Sequence, residues 1–118
     1  MGTIVRDLEA AVGRARRSGL DRRRIVIDPG VGFGKRGDQN YQILAELSRL
    51  DALEQPVLIG TSRKSFLGQK LTDEQRLVGS AATVTAAILQ GAHIVRVHDV
   101  RAMVEVARVA DEMLKGAE

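Results

Sequence analysis

The sequence contains no cysteine, which excludes disulfides and thiolate chemistry outright. Its two histidines, His93 and His98, lie only five positions apart and make a poor basis for a structural metal. Any metal is therefore expected to arrive with a ligand. Aromatic residues make up only 3% of the chain, too few for the stacking platforms of a nucleic-acid binder. No apolar run approaches the ~20 residues that a spanning helix needs, and the N-terminus lacks the apolar core of a signal peptide. The chain reads as cytoplasmic, with neither membrane nor nucleic acid as a partner.

What is present suits one soluble domain spanning 1–118. A hydrophobic share of 44% beside 28% charged residues is enough to bury a modest core and too little charge bias for disorder. The net charge of +3 favours anionic partners. Arg14, Arg16 and Arg17, followed by Arg22, Arg23 and Arg24, concentrate that charge around a helix end and a connection. Arginines in a last helical turn complement the macrodipole, and no recognition-helix signature accompanies them. They read as a solvated surface.

Ile4, Leu8, Ala11, Val12 and Ala15 recur at helical spacing, and Gly19 offers a left-handed end. The chain thus opens on a helix without the strand that should precede it, and reads as truncated. The strand Ile25-Val26-Ile27 follows. A helix from about Gln39, capped by Asp38, carries Ile43, Leu44, Leu47 and Leu50 on one face. Pro56 introduces the strand Val57-Leu58-Ile59. Thr72 and Gln75 form a capping-box pattern that opens a long helix ending at Gly91, with a small-residue middle, Gly79-Ser80-Ala81-Ala82. A third strand runs from Ile94 to Val97, and a last helix carries Val100, Val104, Ala107 and Leu114. The predicted class is α/β: parallel βα units with three strands, four helices and right-handed crossovers.

Parallel strands bring three polar clusters to one rim at their carboxyl ends. The first is Asp28-Pro29-Gly30-Val31-Gly32-Phe33-Gly34-Lys35. There Asp28 either contacts a ligand or caps a turn that the glycines tighten. The second is Gly60-Thr61-Ser62-Arg63-Lys64-Ser65, and the third is Arg96-Val97-His98-Asp99. Arg96, His98 and Lys64 offer a planar fork, a ring N–H and a mobile ammonium, a set suited to phosphate oxygens. Asp28 has the wrong sign for that task and suits the ring N–H and amino groups of a heterocycle. Alternation points Arg96 and His98 to one side of their strand and Val95 and Val97 to the other. A barrel interior holds such an arginine more cheaply than a covered open sheet, and the alternative is a surface ion pair of Arg96 with Asp99 or Glu105. Two nucleotide motifs fail: Gly30-Val31-Gly32-Phe33-Gly34 is one residue short of the dinucleotide fingerprint, and a P-loop ending at Gly34-Lys35 would have Pro29 in place of its first glycine and Arg36 in place of Ser or Thr.

Together these stretches resemble dihydropteroate synthase, a folate-pathway transferase built on a TIM barrel. The match is to the family's sixth, seventh and eighth strands, hence to its C-terminal portion. The resemblance implies that 6-hydroxymethyl-7,8-dihydropterin diphosphate and 4-aminobenzoate are joined to give 7,8-dihydropteroate and diphosphate. Asp28, Gly60 and Lys64 would then hold the pterin. Arg96 and His98 would grip the diphosphate, and these two with Lys64 would carry the chemistry. Phe33 and Ser62 would lie beside 4-aminobenzoate, where sulfonamides compete. Mg2+ would accompany the diphosphate, with no metal ligand from this chain.

A TIM barrel takes about 250 residues and eight strands, so the resemblance also implies a missing N-terminal part and an isolated chain that is inactive or nearly so. Open strand edges invite self-association or pairing with the absent half. Two alternatives stand beside this reading: a fragment of a pterin-binding methyltransferase, and a non-catalytic half-barrel that needs a partner. The Ser-Arg-Lys-Ser and Arg-Val-His-Asp stretches favour the synthase, since a methyl donor without a diphosphate has less use for them.

Overall fold

The computed structural model describes residues 1–32, 37–60 and 71–117. Its elements are α1 (Gly2–Arg17), α2 (Gly37–Ala45), β1 (Leu58–Ile59), α3 (Asp73–Leu89), β2 (Ile94–Val95) and α4 (Val100–Gly116), with 3₁₀ turns at Arg22–Arg24 and Leu47–Leu53. Gly19 ends α1 and Gly91 ends α3, each at positive φ. The capping box at the start of α3 is complete. Thr72 Oγ1 accepts from the Gln75 N–H, and Gln75 Oε1 accepts from the Thr72 N–H.

Two strands and one bridge make the parallel sheet. Leu58 pairs with Ile94 and Ile59 with Val95, and on the other side of β1 a single parallel bridge joins Ile27 to Val57. The first expected strand is thus reduced to Ile27, and the third to its first two residues. The order across the sheet is nevertheless the one expected of consecutive βα units, with the middle segment in sequence lying in the middle in space.

Burial separates the two faces by parity. Ile27, Val57 and Ile59 are buried together with Ile43, Leu44, Leu47 and Leu50, while Val95 and Val97 pack against a second cluster of Val84, Ile88, Met103 and Ala110 from α3 and α4. Odd-numbered strand positions therefore face the helices. Even-numbered ones face away, where Val26 and Ile94 stand 47% and 41% exposed. That second face holds the candidate site.

Three local expectations need correcting. The second helix starts at Gly37, which puts Asp38 in its first turn rather than at its cap. The same helix does not run through Leu50: the chain leaves α-helical geometry at Glu46 (φ −111, ψ 19) and continues as a 3₁₀ turn. Its apolar face survives the change, because Leu47 and Leu50 remain buried. In α4 the expected stripe holds only at Ala107, which packs against the second cluster. Val100 and Val104 are 60% and 57% exposed and Leu114 is exposed, whereas Met103 and Ala110 are buried. The face turned to α3 decides the matter, since α3 and α4 form the most extensive helix pair.

Candidate functional site

The pairing register sets the heights of the site residues. Continuing the register of β1 and β2 by one residue puts Gly60 beside Arg96, and the Ile27 bridge puts Asp28 level with Leu58 and Ile94. All are even positions and share the face turned away from the helices. Asp28 thus stands two strand spacings from Arg96, about 10 Å across the sheet, and one pleat lower, about 7 Å along it. His98 comes two residues after Arg96, in a bend beyond the end of β2. Leu58 and Ile94 stand level with the carboxylate and one pleat below the cation, and with Val26 further down they form the apolar surface between the two.

Asp28 is exposed, while the flanking Ile27 and Pro29 are buried. Its Oδ1 accepts a hydrogen bond from the Gly30 N–H at 2.8 Å, so the turn-capping alternative describes one of its two oxygens. The bond fixes the carboxylate's orientation on the open face. Gly30 and Gly32 both have positive φ, 77° and 86°, which a side chain would strain.

Gly60 is buried, and the Arg96 guanidinium lies directly over it: a Cβ built at Gly60 would meet Nη2 at 2.7 Å and Nε at 3.0 Å. Arg96 itself is exposed. Glu105, one of the two alternative partners for Arg96, forms its ion pair with Arg108. His98 is exposed. Phe33, Ser62 and Lys64 lie outside the described residues. Among the described residues no group of three or more His, Asp or Glu is placed to hold a metal ion.

Sequence reasoning passed over three polar residues that organise this region. Asn40 is completely buried, and its Oδ1 accepts from the Gly32 N–H at 2.7 Å. Its signal was available: positions 40, 43, 44 and 47 form one helical stripe, and Asn40 is its polar member. Gln55, also buried, donates to the carbonyls of Arg22 and Ile25 and so ties the approach to Ile27 to the approach to β1. At the other end of the strands, His93 Nδ1 accepts from the Val57 N–H and caps the ladder where no backbone carbonyl is available. No sequence pattern announces these last two.

Comparison with known proteins places this arrangement. The chain is 42% identical over 109 residues to dihydropteroate synthase of Escherichia coli strain K12, covering 91% of this chain and 39% of that protein. It spans about two fifths of the length of the curated relatives it matches. Among solved structures, the Yersinia pestis dihydropteroate synthase in a sulfonamide drug complex superposes with a TM-score of 0.92 at 41% identity, over 100% of this chain and 43% of that one. The Xanthomonas albilineans enzyme in complex with 7,8-dihydropteroate gives 0.90 at 41% identity, over 96% and 46%. The fold is accordingly α/β, a part of a TIM barrel. A family model described as pterin binding enzyme matches residues 1–98, a stretch that contains Asp28, Gly60, Arg96 and His98, and the chain therefore belongs to the pterin binding enzymes.

Proposed function

We propose that the chain is the C-terminal portion of a dihydropteroate synthase barrel and carries its pterin and diphosphate half-site. The observation behind this reading is the shared inward face: one carboxylate, an apolar surface and a guanidinium, in that order, on three parallel segments. Asp28 accepts hydrogen bonds from the pterin's ring N–H and amino groups, and Gly60 and Lys64 complete the pterin contact. Arg96 and His98 donate to the diphosphate. Phe33 and Ser62 border 4-aminobenzoate, the position at which a sulfonamide competes.

The bond between the pterin's methylene carbon and the diphosphate oxygen breaks with its electron pair going to the diphosphate. The nitrogen of 4-aminobenzoate attacks that carbon and loses a proton, leaving dihydropteroate and diphosphate. The protein's contribution is positioning together with stabilisation of the departing anion, in which Arg96, His98 and Lys64 act as donors and no covalent enzyme intermediate forms. A charge-assisted hydrogen bond contributes roughly 1.5 to 3 kcal/mol, so two or three such donors hold a diphosphate firmly. Mg2+, if bound, would be held by the diphosphate oxygens, its natural hard ligands, and would neutralise their charge; among the described residues no carboxylate or imidazole cluster is placed to hold it. A methyl-transferring relative has less use for a guanidinium at this place.

The outer edges of Ile27 and β2 pair with the remaining strands of the barrel, and without them the isolated chain is inactive or nearly so and prone to self-association. No described helix is long and apolar enough to cross a membrane, and the working compartment in this reading is the cytoplasm. Dihydropteroate formation, assayed with the chain alone and after adding a separately expressed N-terminal portion, tests the proposal. Activity only in the mixture is expected. No activity in the mixture, with pyrophosphate bound equally weakly by the chain and by Arg96→Ala, overturns it.

A further inference from the structure

We infer that Asn40 is a positioning residue for the Asp28 carboxylate, an inference that rests on the reading of Asp28 as a pterin contact. Asn40 has no exposed surface and cannot touch a ligand itself. Its place on α2 is fixed by its neighbours on the same stripe, Ile43 and Leu44, which are buried in the core shared with Ile27 and Val31. From that fixed point Oδ1 reaches across to the Gly32 N–H and holds Gly32 at positive φ.

The connection runs back to Asp28 in two further steps. Val31 is 2% exposed and anchors the loop's middle in the core, and the Gly30 N–H donates to Asp28 Oδ1. The loop is thus pinned at Gly32 by Asn40, at Val31 by packing and at Gly30 by the carboxylate itself. Glycine is the residue type with the most conformational freedom to lose. Two left-handed glycines in a three-residue span would not keep one geometry without such an external clamp. The physical consequence is a carboxylate whose angle is set from the helix layer rather than by contact with the ligand, which lowers the ordering cost of binding.

Amide hydrogen exchange tests the clamp without reference to any ligand. In the native chain the Gly32 amide is expected to be protected, and exchange at the rate of an unstructured peptide overturns the inference with no variant needed. Asn40→Leu is expected to accelerate exchange at Gly32 by at least about tenfold relative to Val84 in α3, whereas Asn40→Asp, which keeps an acceptor oxygen, stays near the native ratio. A general loss of stability would speed both amides together, and an unchanged ratio in Asn40→Leu counts against the clamp. Binding supplies the functional arm, with 6-hydroxymethylpterin and pyrophosphate as probes. Asn40→Leu is expected to weaken the pterin about tenfold and leave pyrophosphate unaffected; equal weakening of both, or of neither, overturns the inference. If the native chain binds no pterin, the pterin reading of Asp28 fails and so does this inference's functional half, while the exchange ratio still decides whether Asn40 holds the loop.

Discussion

The Arg96 guanidinium occupies the space that a side chain at Gly60 would need, with Nη2 only 2.7 Å from the ideal Cβ position. Neighbouring strands thereby exchange a constraint: one gives up its side chain so that the other can lay a planar cation across it. Gly60→Ala pushes the guanidinium off the strand end. The displaced atoms are the tip of a flexible side chain, so the expected loss of stability is below about 1 kcal/mol. Pyrophosphate affinity is expected to fall about tenfold. Calorimetric titration and chemical denaturation of both proteins check this, and unchanged affinity would mean that Arg96 has no fixed place in anion binding.

At the opposite end of the same strands, His93 accepts from the Val57 N–H at 3.2 Å. His93→Phe removes the acceptor and leaves that amide without a protein partner, at an expected cost of about 1 kcal/mol because the imidazole is exposed and water partly compensates. His93→Asn can present its side-chain oxygen at a similar distance and is expected to recover most of the loss. Urea denaturation of the three proteins makes the comparison.

Acid sensitivity has an identified contributor in Asp21, which caps the Arg22–Arg24 turn. Its carboxylate accepts from the Arg23 side chain and from the Arg23 N–H. These two bonds, with a smaller contribution from Arg16, hold its pKa below the ordinary aspartate value. A lowered carboxylate stabilises the fold above its unfolded-state value, about 3.9, and that stabilisation is lost as pH falls through the lower folded-state value. Asp21→Asn is therefore expected to flatten the acid limb of a stability profile below about pH 4 and to leave its shape near neutrality unchanged.

The reciprocal bonds between Thr72 and Gln75 give the start of α3 a measurable weight. Thr72→Ala is expected to cost about 1 kcal/mol, a typical value for a lost helix cap. Thr72→Ser, which keeps the hydroxyl, is expected to lose much less. Thermal unfolding followed by helical circular dichroism distinguishes them.

Alternation and capping carried most of what was legible beforehand. The parity of Val95 and Val97 against Arg96 follows from strand geometry alone, and the structure keeps it. The Thr72 capping box is equally local. The phase of α4 is not local, because Val100 and Val104 share one side of the helix and Met103 and Ala110 another, and the choice between them belongs to α3. Likewise the conversion of α2 into a 3₁₀ turn at Glu46 leaves no mark in the apolar pattern, since Leu47 and Leu50 stay inside either way. Asn40 was the readable omission: a polar side chain in an apolar stripe asks for a partner, and Gly32 is that partner.

Helix α1 has a well-separated apolar side, yet none of its sixteen residues is buried; Ile4, Val5, Leu8 and Val12 are only partly covered by the first core. Its hold on the rest of the molecule is accordingly weaker than that between α3 and α4. Warming releases this segment ahead of the tightly packed α3 and α4, and a protease added below the main transition makes its first cuts there.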